Sequence, residues 1–200
     1  MTWNELDRLA RDANNGDLAA ADRLRDAASN VSDPDTLLNI AERYPTGEEA
    51  GEILARRALQ LEPQSERAWE ALASVYDLYD GQWLNERTRL AVEQLLAINP
   101  NNLVALRICL AHAHLCSDFA RARELAETIL RVDPLNFSGT VALAKLLALE
   151  GQKYAALSSI DRYIDRIGAS DRDDREELIR LSRHRRAQIE SGESEHGVWP

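Results

Sequence analysis

Apolar residues recur three and four positions apart along almost the whole chain, and no stretch alternates cleanly. Between 3 and 13 they are Trp3, Leu6, Leu9, Ala10 and Ala13; between 18 and 28 they are Leu18, Ala21, Leu24 and Ala28. A helical residue advances ~100° about the axis, so this spacing gathers apolar side chains on one face. Start and stop signals frame the runs. Thr2-Trp3-Asn4-Glu5 has the form of a capping box, and Asn15-Gly16-Asp17 ends the first helix and caps the second. Asp33-Pro34 sets an N-cap before a proline at the first helical position, and that helix stops by Tyr44-Pro45. Thr46-Gly47-Glu48-Glu49 is a further capping box. Helices of about 12–16 residues joined by tight turns follow to about Gly168, a pattern that predicts an all-α protein of seven or more helices in antiparallel pairs.

A longer period lies over the short one. Three helices close on the same phrase: "ALQLEP" at 58–63, "LLAINP" at 95–100 and "TILRVDP" at 128–134. Pro63, Pro100 and Pro134 stand 37 and 34 residues apart. Proline cannot extend the helix behind it and keeps the residue before it out of the helical region, so each phrase forces a turn. A 34-residue spacing is the length of a helix–turn–helix repeat.

In these residues the chain resembles the tetratricopeptide repeat (TPR) family. "AWEALASVY" at 68–76 carries that family's opening pattern in Trp69, Leu72, Ala73 and Tyr76. The next unit places Leu106, Cys109, Leu110 and Ala113 in its first helix and Ala122, Ala126 and Ile129 in its second. A third has Leu143, Ala144 and Leu147, then Gly151 at its turn, then Ala156 and Ile160. The resemblance implies a TPR-like α-solenoid of stacked antiparallel helix pairs with a C-terminal capping helix. Its boundaries are an N-terminal helix pair at 1–31 and TPR-like repeats over 32–168 (about 35–65, 66–102, 103–136 and 137–168). A capping helix at 169–191 and a flexible tail at 192–200 follow. The first repeat is worn, and the second has about three extra residues in "DLYDGQW". The family pattern makes Trp69 a packing residue between helices.

Composition narrows the chemistry. The chain is 44% apolar, 29% charged and 6% aromatic with four tryptophans, so its core is expected to be mostly Ala and Leu. Net charge is −10, with Arg interleaved among Asp and Glu, which reads as solvated helix faces and argues against nucleic acid as a partner. No run suggests a signal peptide or a membrane span, so no membrane association is expected. "CLAHAHLC" at 109–116 holds both cysteines and two of the four histidines. Cys109, His112 and Cys116 share one helical face, and His114 points away. The favoured reading is a buried core stripe with one partly buried histidine; a metal site or a Cys/His catalyst stays open as an alternative. A structural zinc site needs four ligands, and His184 and His196 stand alone. The two cysteine Cα atoms would lie ~10 Å apart on a helix, beyond the ~7 Å reach of a disulfide, which fits a reducing, cytoplasmic setting. No phosphate loop, H-E-x-x-H or G-x-S-x-G occurs. Asp173-Asp174 and Glu176-Glu177 read as charges at a helix start. No catalytic residue, metal or cofactor is therefore expected.

In the TPR family a concave groove is lined by the first helix of each unit. The resemblance assigns to it Arg67, Glu70, Ser74 and Asp77, then Val104, Arg107, Ala111 and His114, then Ser138, Val141, Lys145 and Ala148. The chaperone-binding members grip a terminal carboxylate with lysines and asparagines; here Glu70, Ser74, Ala71, Ile108 and Ala142 stand at the corresponding places, which argues against such a clamp. Arg67, Arg107 and Lys145 lend local positive charge, so an acidic or extended peptide of another protein is the expected partner. The leading expectation is a non-catalytic adaptor or scaffold, and the alternative a dedicated chaperone for a secreted or assembling client. Ser170 is placed to cap a final helix bearing Arg180, Arg183, Arg185 and Arg186 on a solvated face. "SGESEHGVWP" follows, and Val198-Trp199-Pro200 docks on a partner, folds onto its own solenoid or is inert. Oligomeric state stays open.

Overall fold

The computed structural model describes residues 2–44, 48–79 and 85–192, with the side chains of 48 and 77–79 outside that set. Among the described residues every regular element is α-helical: α1 (Trp3–Asn14), α2 (Leu18–Ser29), α3 (Pro34–Ala41), α4 (Glu48–Leu61), α5 (Glu66–Tyr79), α6 (Glu86–Ile98), α7 (Leu103–Leu115), α8 (Phe119–Val132), α9 (Phe137–Leu149), α10 (Lys153–Gly168) and α11 (Arg175–Ser191). Two compact units divide at Ile108, within α7.

The caps explain the boundaries. Thr2 accepts from the Glu5 amide, Asp17 from Ala20 and Asp33 from Thr36. Each satisfies a donor that the first helical turn leaves without a partner. Before Pro100 and Pro134, Asn99 and Asp133 are extended (φ −138° and −129°), the geometry a following proline imposes. Asn102 and Asn136, two residues past these prolines, cap the next helices by accepting from Ala105 and Gly139. The Thr46 capping box and Trp83 fall outside the described residues. Ser170 does not cap the last helix: its hydroxyl donates to the Ile167 carbonyl, and α11 starts behind Asp174 instead.

In unit 1, α4 is the hub: α1, α2, α3 and α5 all pack on it, and α6 packs on α5. Leu6, Leu24, Leu37, Leu38, Ile40 and Leu54 are fully buried, with alanines such as Ala10, Ala20, Ala50 and Ala58 between them. These small residues let helix axes come close, as expected from an Ala/Leu core. Arg57 reaches from α4 to the carbonyls of Ala28, Ser29 and Val31, supplying donors that the C-terminal end of α2 lacks. Burial pushes the Tyr76 phenol up to about 12; it donates to Glu52, accepts from Arg56 and carries the Arg87 guanidinium over its ring.

Trp69 is only half-buried, and its indole N–H donates to the Pro63 carbonyl at the turn between α4 and α5 (3.1 Å). A fully buried tryptophan costs ~3–5 kcal/mol on truncation. Half-burial lowers the expected cost of Trp69→Ala to about 2 kcal/mol, most of it apolar area and the rest one hydrogen bond. Urea unfolding of the variant measures it, and a loss under ~0.5 kcal/mol would make the side chain an ordinary surface residue.

In unit 2, α9 packs on α8, α10 on α9, and α11 on α10 and also α9. Ala144, Ala156 and Ile160 form a buried cluster with Val141, Leu147, Ala148, Ile164 and Ile189 packed around it. α11 thus takes the place of the next first helix in the stack. Gly139 allows α8 and α9 to touch: a Cβ there would lie 2.9 Å from Ile129 Cγ2.

Candidate partner-binding surface

On α5 and the first half of α7, the buried face is made by Leu72, Ala73, Val75 and Tyr76 and by Ala105, Leu106 and Ile108. The residues between them turn outward, since helical neighbours differ by ~100°. Ser74 and Val104 are half-buried and Arg107 is exposed. The side chain of Asp77 lies outside the described residues.

Arg67 is engaged within the protein. Its guanidinium grips both oxygens of Glu42 (2.6 and 2.8 Å), reaches Asp35 at 3.0 Å and donates to Asn39 at 2.7 Å. Hydrogen bonding to Arg67 holds the Glu42 carboxyl below its ordinary value, and Glu42 in turn raises Arg67. This pairing ties α5 to α3. Glu66 and Glu70 accept from Asn102, and Glu66 also from Asn99, so α5 is tied equally to the start of α7. This strip holds the carboxylates of Asp35 and Glu42 against Arg67 and adds those of Glu66 and Glu70 from α5. Its charge is therefore not the positive one that Arg67 and Arg107 alone suggest. Asn102 escaped the sequence reading; its signal is an asparagine two places after each of Pro100 and Pro134.

In unit 2, Ala111 is exposed, and His114, Ser138, Val141, Lys145 and Ala148 are half-buried. Val141 and Ala148 lean on the apolar cluster, so only part of each faces outward. Both ring nitrogens of His114 are buried without a hydrogen-bond partner. A buried polar atom left so costs ~1–3 kcal/mol. Burial first, then the Lys145 charge, lowers the His114 pKa, and burial followed by Arg185 lowers that of Lys145. The Lys145 charge thus bears on His114, and the Arg185 charge on Lys145. Arg185 is half-buried and donates to Gln188, so it does not stand on a fully solvated terminal face. Its place four residues before Ile189, which packs inward, was the available signal. Two of the other terminal arginines are spent locally: Arg180 pairs with Glu177, and Arg186 with Asp161 and Glu190, while Arg183 is exposed.

The Cys/His stretch differs from the buried stripe expected of it. Cys109 is half-buried and its thiol is pushed up by burial, but Cys116 is exposed. α7 ends at Leu115, so Cys116 has left the packed face; its sulfur lies 3.5 Å from His112 Nε2. Among the described residues no three His, Cys, Asp or Glu side chains gather as metal ligands, and no helix is long and apolar enough to cross a membrane.

Comparison with known proteins bears on the fold. No protein-family model matches the chain. It is 28% identical over 97 residues to the formate-dependent nitrite reductase complex subunit NrfG of Escherichia coli O157:H7, an alignment spanning 46% of this chain and 49% of that protein. The chain thus matches about half the length of this curated relative. Two crystal structures resemble it over 95% of its length: TTC0263, a thermophilic TPR protein in Thermus thermophilus, with a TM-score of 0.54, 17% identity and 100% of that chain covered, and MamA protein, with a TM-score of 0.51, 15% identity and 91% covered. Stacked helix pairs, the proline-ended 34-residue unit and these likenesses agree that the chain is an all-α helical-repeat protein with the tetratricopeptide-repeat fold.

Proposed function

We propose that the protein is a non-catalytic, cytoplasmic adaptor or scaffold that binds a segment of another protein along the outward residues of its first helices. The observation that supports this most is the arrangement of α7. Ala105, Leu106, Ile108, Leu110 and Ala113 are buried, while Arg107 and Ala111 are exposed on the same helix. A rigid helix with one face anchored and the other open is the physical basis of binding in repeat proteins. The acidic balance around Arg67 favours a polar, mixed-charge segment there. The relative in Escherichia coli is by name a subunit of an enzyme complex, which favours service in assembly and keeps a dedicated chaperone as the second reading.

The test places charge on the strip. Arg107→Glu with Ala111→Glu touches two exposed positions, so helical circular dichroism stays unchanged. Affinity for a partner captured from the native source is expected to fall tenfold or more, which is ~1.4 kcal/mol. Arg180→Ala with Arg183→Ala changes two exposed arginines, the first in a surface pair with Glu177 worth under ~1 kcal/mol, and leaves binding within a factor of about three. The opposite ranking places the interface on α11.

A further inference from the structure

Unit 1 holds a cavity away from the first-helix strip. α2 and α4, the second helices of their pairs, pack on one another and leave a cavity of about 440 Å³ between them. Ligand sites usually measure ~300–1,000 Å³. Ala28 and Ile53 supply apolar lining, and Arg25, Arg56 and Arg57 bring three guanidiniums against two carboxylates, Glu49 and Glu52. The excess is positive in a chain whose net charge is −10. We propose that this cavity binds a glutamate-rich segment of a partner protein, with the carboxylates on the guanidiniums and the methylenes against Ile53.

The hydrogen bonds show which charges are already answered. Glu52 is: it accepts from Arg56 Nε at 2.6 Å and from the Tyr76 hydroxyl at 3.1 Å, and Arg87 lies 3.5 Å from its other oxygen. Glu49 comes only within 4.0 Å of Arg25, whose closer partner is Asp22 at 2.7 Å. Arg57 meets neutral oxygens, the carbonyls of Ala28, Ser29 and Val31 and the side chain of Gln60. The carbonyl end of α2 answers roughly half of that charge. Among the described residues no carboxylate pairs with Arg57, so an incoming one meets a guanidinium that it does not have to win from another. Planar guanidiniums suit carboxylates, and a concave site strengthens their field over that of an open surface. Length chooses a segment over a free anion. The lining runs from Glu49 to Gln60 on α4, ~16 Å of helix, which is the span of about five extended residues. A single small anion would meet only part of it.

The cavity lies on second helices, so the inference does not rest on binding along the first ones. Its test uses the full chain and a fluorescein-labelled hexaglutamate peptide at low salt, followed by anisotropy. Saturable binding is expected although chain and peptide are both acidic, a combination that general attraction does not explain. Arg25→Gln with Arg56→Gln is expected to weaken it about tenfold or more. Both side chains are more than half exposed, so circular dichroism stays unchanged. Ser29→Glu removes no ion pair, sets a carboxylate among the guanidiniums and is expected to weaken binding as much. Arg180→Ala with Arg183→Ala, on α11, leaves it unchanged. No saturable binding, binding that either cavity variant leaves intact, or an equal loss in the α11 variant overturns the proposal. Tighter binding of hexalysine also overturns it. So does displacement by inorganic phosphate as effective as that by unlabelled hexaglutamate, which would make this a site for a free anion.

Discussion

Leu54→Ala is expected to lower stability by about 3–5 kcal/mol, measured as the fall in unfolding free energy in urea. Leu54 is fully buried on α4, on which α1, α2, α3 and α5 all pack. Truncating a buried leucine costs ~2–5 kcal/mol, and the value rises with the cavity that neighbours fail to fill. Here the neighbours are held by other contacts. Arg57 ties α4 to the end of α2, and Arg67 ties α5 to α3. Collapse into the space would break these ties, so the upper half of the range is expected. A domain of this kind has only ~5–15 kcal/mol in total, so the variant approaches the edge of folding. Arg183→Ala, at an exposed position, is the control and stays within ~0.5 kcal/mol. A loss below ~1 kcal/mol at Leu54 would mean that α4 does not stand at the centre of its unit.

The second large effect is expected at Gly139, where valine lowers stability by about 2–3 kcal/mol. A Cβ there meets Ile129 Cγ2 at 2.9 Å and Leu130 Cγ at 3.1 Å, and Ile129 is itself buried on α8. Valine adds two further methyl groups to a contact already too short for one carbon. Its better helix propensity returns only a few tenths of a kcal/mol. Gly139→Ala is the informative comparison. It gains up to ~1 kcal/mol of propensity against a smaller clash, so its net loss is expected to fall well below that of valine. Equal effects of the two would show that α8 and α9 adjust freely and are not in close register.

Much of the fold could be read before any coordinates. Asp17 and Asp33 cap helices in the structure because a short carboxylate at that position answers orphan amides whatever its tertiary surroundings. The proline phrases behaved likewise, since a steric clash with the preceding residue is local. What escaped depended on contacts distant in sequence. Nothing around Arg67 announces that Asp35, 32 residues earlier, together with Glu42, will neutralise it. Sequence alone therefore offers it as a groove cation, although the structure spends it on packing α5 to α3. Asn102 reaches back 36 residues to Glu66 and was invisible for the same reason. Cys116 turns on a single residue: extending the helix past Leu115 puts it on the packed face, and ending the helix there exposes it. Ser170 does not cap α11 because its hydroxyl donates back to Ile167 of α10, and Asp174, which precedes α11, makes no side-chain capping bond.

The central claim, that partners meet the outward residues of first helices, has a direct test. A photo-reactive amino acid is introduced in turn at Ala111, exposed on α7, and at Arg131, exposed on α8, a second helix. Each chain is irradiated in extract of the native source and its adducts are weighed. The account predicts one discrete covalent adduct from position 111 that Arg107→Glu abolishes, and none from position 131. An adduct from 131 alone, or one from 111 that Arg107→Glu leaves intact, would contradict it.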